Sequence, residues 1–154
     1  MNFEVLNKKE AKKILELIKK QWDADFVTDK IFLKNQNDIF LVNRDVFSIN
    51  LDTIRINSLG LYFGELFDYK LRLSIEGSQL IGPIAKENVV EINENELRQW
   101  LRGENIIKQT NANSYVIIKH SNDFFGCGKA KENLILNYVP KVRRISELAV
   151  WPHP

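Results

Sequence analysis

The sequence predicts an α+β protein, in which an N-terminal α/β domain with an antiparallel sheet is followed by a small C-terminal β-barrel. Near the start of the chain, apolar residues recur at three- and four-residue spacing, which indicates an amphipathic helix. The last third contains short strands separated by tight turns, a pattern typical of small closed barrels. Gly82-Pro83 interrupts both patterns, so we expect domains at residues 1–83 and 84–154.

The first predicted element is a helix over residues 7–22. Asn7 suits the N-cap position, and Glu10 suits the reciprocal capping-box position three residues later. One face is apolar, with Ala11, Ile14, Leu15, Ile18 and Trp22. Most of the remaining surface is lysine, at Lys8, Lys9, Lys12, Lys13, Lys19 and Lys20. A solvated helix face is the simplest interpretation of these lysines, and binding to a membrane surface is less favoured because the short apolar stripe buries little area.

The other elements are predicted from short apolar runs and from the polar or glycine-containing turns between them. The N-terminal half has predicted strands at 31–34, 39–43, 58–66 and 70–75, with a short helix at 45–52. The C-terminal half has predicted strands at 88–92, 115–119, 124–130 and 134–138, with a helix at 94–101. Asn93 and Glu96 form the predicted capping box of this second helix, and Gly103 suits the left-handed residue that ends it.

The composition excludes several classes of protein. The single cysteine, Cys127, excludes an internal disulfide and a multi-cysteine metal site. The chain has neither a membrane-spanning apolar run nor a signal-peptide core, so we expect a cytoplasmic protein, nucleolar if the source is eukaryotic. Cys127 is expected to be buried and unreactive, because it lies at a strand position and free cysteines are usually buried. His120 and His153 are expected to be solvated, because neither has a cysteine, serine or acid at motif spacing. We therefore predict no catalytic residue, no metal and no cofactor.

Positive charge is concentrated towards the C-terminus. Residues 129–144 contain five cations and one acid, Glu132, which gives the segment a charge of +4, whereas the whole chain has +2. Aromatic residues are interleaved at Phe124, Phe125 and Tyr138. This asymmetry predicts a polyanionic partner, and nucleic acid is the first candidate. The alternative interpretation is a solvated rim of the barrel.

Several motifs carry a resemblance to known families. Trp100–Glu104 (WLRGE), Phe125–Lys129 (FGCGK) and Asn137–Lys141 (NYVPK) resemble the PUA tail of the Nol/Nop/Sun RNA cytosine methyltransferases. Ser58–Glu65 (SLGLYFGE), followed by a strand at Lys70–Ser74, is similar to the first domain of the Nip-type large-subunit ribosome biogenesis factors, which also end in a PUA domain. The resemblance implies that the C-terminal barrel is a PUA-like RNA-binding domain. The catalytic domain and the catalytic cysteine of the methyltransferases have no counterpart in the sequence.

The resemblance also implies where RNA binds. In PUA domains the RNA lies against the loop after the first helix and against the last strand, where cations neutralise phosphates and a glycine admits close backbone approach. The predicted RNA-binding residues are Arg102, Gly103, Lys129, Lys131, Asn137, Tyr138, Lys141, Arg143 and Arg144. For Tyr138, core packing is preferred to stacking on an unpaired base. The lysine face of helix 7–22 is a further candidate for RNA contact.

The sequence thus predicts a non-catalytic RNA-binding protein that assists ribosome maturation. Its predicted partners are pre-ribosomal RNA and other ribosome assembly factors, with no membrane. The alternative is an RNA-binding accessory subunit of a separate RNA-modifying enzyme, such as a cytosine methyltransferase. An enzyme built on the barrel would require a deep pocket with converging polar groups.

Overall fold

A computed structural model describes residues 3–45 and 60–145 of the chain. Within these residues, the strands form two five-stranded sheets. The first sheet consists, in spatial order, of β1 (Glu4–Val5), β2 (Ile31–Asn35), β3 (Asp38–Val42), β4 (Gly60–Phe67) and β5 (Lys70–Leu73). The second consists, also in spatial order, of β6 (Val89–Glu91), β8 (Ser114–His120), β9 (Asp123–Lys131), β10 (Leu134–Leu136) and β7 (Ile106–Ile107). The helices are α1 (Lys8–Trp22), α2 (Ile75–Ile81) and α3 (Glu94–Leu101), with short 3-10 helices at Gly82–Ile84 and Lys141–Arg143.

Both predicted capping boxes are confirmed. At the start of α1, the side chain of Asn7 accepts a hydrogen bond from the Glu10 N–H at 2.8 Å, and the Glu10 carboxylate accepts from the Asn7 N–H at 3.1 Å. Asn93 and Glu96 make the same pair of bonds at the start of α3, at 2.8 Å and 2.9 Å. These bonds satisfy N–H groups that have no partner within the helix, so they fix where each helix begins.

The first sheet is an antiparallel meander, as predicted for the N-terminal half. The β2–β3 hairpin is tighter than expected, because Asn35 and Asp38 pair with each other and leave only Gln36 and Asn37 in the turn. Gln36 has a φ of 55°, in the left-handed region that such two-residue turns require. The short helix predicted over residues 45–52 lies, beyond residue 45, outside the described residues.

The second sheet is open, so the predicted closed barrel is not found among the described strands. β6 pairs in parallel with β8, while β7 pairs antiparallel with β10 at the opposite edge. These edge strands contain only three and two residues. Such short edges do not build the continuous ladder that closing a barrel requires.

Strand β8 is buried on both faces and separates two parts of the core. Tyr115 and Ile117 belong to a buried cluster that also contains residues of α1 and of the first sheet. Val116 and Ile118 point the other way, into a second cluster that contains Leu97 and Trp100 of α3 together with Ile106 and Ile135. Because successive side chains of a strand alternate between its faces, one continuous apolar run serves both clusters. The N-terminal half is therefore not a clearly distinct domain, and the boundary at residues 83/84 stays a prediction.

Helix α2 is a difference from the sequence prediction, which has a strand over residues 70–75 and no helix after it. The strand ends at Leu73, and Ser74 caps the helix by accepting a hydrogen bond from the Gly77 N–H at 2.9 Å. A Cβ at Gly77 would overlap the Phe63 carbonyl oxygen, so glycine permits α2 to lie directly against β4. This close packing places the start of α2 beside the segment that follows β10.

Candidate nucleic-acid interface

The loop after α3 has the backbone that the sequence predicts. Gly103 has a φ of 89°, in the left-handed region, and its N–H donates to the Trp100 carbonyl at 3.0 Å. Arg102 caps the helix, and its side chain lies 2.6 Å from the carboxylate of Glu104. The expected helix end at Gly103 is confirmed. The Glu104 carboxylate partly neutralises the charge of Arg102.

Arg144 occupies the space next to Gly103. A Cβ added at Gly103 would overlap the Arg144 side chain, so the two residues are in direct contact. Arg144 Nε donates to the Val139 carbonyl at 3.0 Å, and the Ile145 N–H donates to the Leu101 carbonyl at 2.8 Å. The segment after β10 is therefore held against the end of α3, and it brings Arg144 to the predicted loop.

Asn137 connects the same segments through hydrogen bonds of its side chain. Its Nδ2 group donates to the carbonyls of Trp100, at 2.8 Å, and of Glu104, at 2.9 Å, while its Oδ1 accepts from the Val139 N–H at 2.7 Å. A side-chain amide has two N–H donors, and both are used here. The structure thus gives Asn137 a role in positioning this loop, and RNA contact by its side chain stays a prediction.

Tyr138 and Arg143 line a cleft between the two halves of the molecule, with a volume of about 130 Å³. The Arg72 guanidinium lies over the Tyr138 ring, 4.3 Å from its centroid, and Arg143 pairs with Glu76 of α2 at 2.7 Å. Tyr138 is half-buried against the core, so the preferred expectation of packing is consistent with its position. One face of its ring is covered by Arg72, which limits stacking to the remainder of the ring.

The other predicted cations lie along β9 and the last 3-10 helix. Lys129 is half-buried, with its ammonium group 5.8 Å from the centroid of the Tyr115 ring. Lys131 ends β9 and is exposed, and Lys141 is exposed in the 3-10 helix. Within residues 3–45 and 60–145, no carboxylate lies within 4.0 Å of Lys129, Lys131, Lys141 or Arg144, as the salt bridges of this region involve other cations.

The structure therefore divides the nine predicted residues into three neighbouring groups. Arg102, Gly103, Asn137 and Arg144 meet at the end of α3; Tyr138, Lys141 and Arg143 lie on the following segment; Lys129 and Lys131 lie along β9. The cations without a carboxylate partner carry the excess positive charge. Such groups can neutralise phosphates without first breaking an ion pair.

Sequence reasoning did not identify Arg72 as part of this surface. It comes from β5, and it links Tyr138 to the first sheet through a salt bridge with Glu65 at 3.1 Å. The alternation of Lys70, Leu71 and Arg72 indicates that both cations share one face of the strand. The sequence has no signal for what that face meets, because Tyr138 is distant along the chain.

Cys127 is buried and His120 is half-buried, so neither side chain is freely exposed to solvent. Cys127 is buried, with 4% of its surface exposed, which confirms the expected burial, and burial raises the pKa of its thiol to about 12. His120 is half-buried rather than solvated, because its Nδ1 lies 2.8 Å from the Ile92 carbonyl, which requires Nδ1 to be the donor. His153 lies outside the described residues.

Among residues 3–45 and 60–145, no three His, Cys, Asp or Glu side chains are grouped closely enough to hold a metal ion. In the same ranges, none of the helices has the length and apolar character needed to cross a membrane.

Comparison with known families supports the assignment of the C-terminal part. The family model for the methyltransferase RsmF PUA domain matches residues 87–145. The match extends from β6 to the end of the described chain, and it includes all nine predicted RNA-binding residues. No significant match was found among curated proteins. A PUA domain suggests RNA binding, in agreement with the cationic surface. Residues 87–145 therefore constitute a PUA domain.

Proposed function

We propose that the protein is a non-catalytic RNA-binding protein whose ligand is ribosomal RNA or its precursor. The observation that carries the proposal is the group of cations without carboxylate partners on the PUA domain: Lys129, Lys131, Lys141 and Arg144. Phosphate contacts from such groups release counterions and supply most of the affinity of a nucleic-acid interface. Base recognition then depends on contacts beyond the phosphates.

The first candidate role is ribosome maturation. It is supported by the resemblance of Ser58–Glu65 and the following strand to the Nip-type biogenesis factors. In this role the protein binds pre-ribosomal RNA together with other assembly factors. Co-sedimentation of the protein with pre-ribosomal particles is the expected result.

The second candidate role is that of an RNA-binding accessory subunit for an RNA-modifying enzyme. The match of residues 87–145 to a methyltransferase PUA domain favours this role. Co-purification with a methyltransferase or a pseudouridine synthase, and absence from pre-ribosomal particles, would support it over the first. Methyl transfer to RNA by the purified chain alone, supplied with a methyl donor, would contradict the non-catalytic proposal.

Crosslinking in the source cells, followed by sequencing of the bound RNA, tests the proposed ligand directly. The matched control is the variant Lys129→Ala/Lys131→Ala/Lys141→Ala, which removes three exposed or half-buried charges that form no salt bridge with a described carboxylate, at little cost in stability. We expect ribosomal RNA sites that are enriched with the wild-type protein and depleted with the variant. Equal recovery of all RNAs with both proteins would contradict the proposal.

A further inference from the structure

A second depression lies outside the predicted surface, at the junction of the two halves. Its volume is about 310 Å³, which is within the range of small-molecule sites. Its walls come from the C-terminal half of α1, the β4–β5 hairpin and the start of β8, and they include Lys20, Tyr69, Lys70 and Tyr115. None of the nine predicted RNA-binding residues lines it.

Tyr69 stands at the rim of this depression with 88% of its surface exposed. It forms the two-residue β4–β5 turn with Asp68, and the φ angles of the pair are 59° and 51°. This left-handed turn favours Asn, Asp and Gly, whereas a bulky aromatic residue is disfavoured there. The folded state gains little from a tyrosine at this position, so the ring is free to contact a ligand.

The charge around the depression is positive. Lys20 and Lys70 line it, and the one acid among its lining residues is Asp68. Both lysines are exposed, and neither forms a salt bridge with a described carboxylate. An exposed aromatic ring between lysines is the arrangement that proteins use to bind single-stranded nucleic acid, since the ring stacks on a base and the cations contact phosphates.

The depression adjoins the PUA surface through the ring of Tyr115, which is buried with 7% of its surface exposed. Tyr115 lies in its wall, and the Lys129 ammonium group is 5.8 Å from the centroid of the Tyr115 ring. The Tyr115 and Tyr138 ring centroids are 6.3 Å apart, and Arg72 covers Tyr138 from the same face of β5 that presents Lys70. A row of tyrosines and cations thus leads from the PUA domain to Tyr69.

We propose that this depression binds an unpaired nucleotide of the RNA that the PUA domain holds. The base stacks on Tyr69, and the flanking phosphates lie near Lys20 and Lys70. The inference rests on the proposed RNA-binding function and adds to it a ligand class: structured RNA with a single-stranded extension. The N-terminal half then contributes directly to recognition.

The test compares two RNAs, one hairpin and the same hairpin with a single-stranded extension that contains 2-aminopurine. Equilibrium binding of the full chain is measured for wild type, for Tyr69→Asn and for the control Phe67→Ala. Phe67 is also an exposed aromatic of this hairpin, at 59%, but it does not line the depression. Asparagine suits a left-handed turn, so Tyr69→Asn is expected to fold at least as stably as wild type.

Wild type and Phe67→Ala are expected to bind the extended RNA about tenfold more tightly than the hairpin, with quenching of the 2-aminopurine fluorescence. Tyr69→Asn is expected to lose both the gain in affinity and the fluorescence quenching while binding the bare hairpin normally.

If Tyr69→Asn retains both the gain in affinity and the quenching, the inference is overturned and the proposed function stands. If wild type binds neither RNA, the proposed function fails, and with it the inference. If Tyr69→Asn leaves RNA binding intact but abolishes binding of a protein partner, the depression is a protein-docking site and the inference is likewise overturned.

Discussion

Replacing Gly103 by alanine tests how the loop after α3 is built. The glycine has a φ of 89°, and a side chain in this conformation costs about 1 kcal/mol. The new Cβ also overlaps the Arg144 side chain, which is flexible and can move away. Its movement breaks the hydrogen bond from Arg144 Nε to the Val139 carbonyl, for about 1 kcal/mol more. We therefore expect Gly103→Ala to lower the free energy of unfolding by about 2 kcal/mol.

A double-mutant cycle separates the two contributions. In an Arg144→Ala background the overlap is absent, so Gly103→Ala is expected to cost only about 1 kcal/mol. Urea unfolding of the four proteins, followed by tryptophan fluorescence, provides the free energies. If Gly103→Ala has the same cost in both backgrounds, the contact between these residues does not contribute to stability. If the cost is close to zero in both, the left-handed conformation of Gly103 is refuted as well.

Three further predictions concern the same region. Asn137→Asp replaces the amide that donates to the Trp100 and Glu104 carbonyls, so it is expected to lower the free energy of unfolding by about 2–3 kcal/mol, and a urea midpoint equal to wild type would refute the bracing role. Burial raises the pKa of the Cys127 thiol from 9.0 to about 12, so its contribution to stability is complete below pH 9 and is lost as the pH rises towards 12. The free energy of unfolding of wild type should therefore fall more steeply above pH 9 than that of Cys127→Ala, and parallel pH profiles would contradict this. Lys141→Ala/Arg143→Ala/Arg144→Ala should weaken RNA binding while the protein stays folded, with about 1–2 kcal/mol lost from the Arg144–Val139 hydrogen bond and the Arg143–Glu76 ion pair, and normal RNA binding would move the site elsewhere, for example to the lysine face of α1.

The parts of the fold that the sequence predicts correctly depend on neighbours along the chain. Both capping boxes join residues three positions apart, and the left-handed Gly103 follows directly from the end of its helix. The sequence does not predict helix α2, because its seven residues span only about two helical turns, which is too short to reveal a periodic pattern, and the apolar run of β5 leads directly into it. Ser74, as a cap before Glu76, was the available signal.

The unpredicted parts depend on contacts between distant segments. The apolar run of β8 is compatible with burial on one face or on both, and only the packing of α3 on one side and the first sheet on the other decides between them. The same limit applies to the candidate site. Residue types and charge locate the cations, but the contact of Arg144 with Gly103 and the cover of Arg72 over Tyr138 arise from tertiary packing. Charge neutralisation by Glu76 and Glu65 is likewise a tertiary feature.

The salt dependence of RNA affinity tests most directly whether the cations on the PUA domain bind phosphate. Affinity for a ribosomal RNA hairpin is measured by fluorescence anisotropy over a series of salt concentrations. If the cations without a described carboxylate partner, Lys129, Lys131, Lys141 and Arg144, each contact a phosphate, the slope of log affinity against log salt is expected to be about −3.6. Replacing Lys141 alone by alanine should make this slope less steep by about 1. A slope near zero, or no binding at low salt, would contradict RNA recognition by this surface.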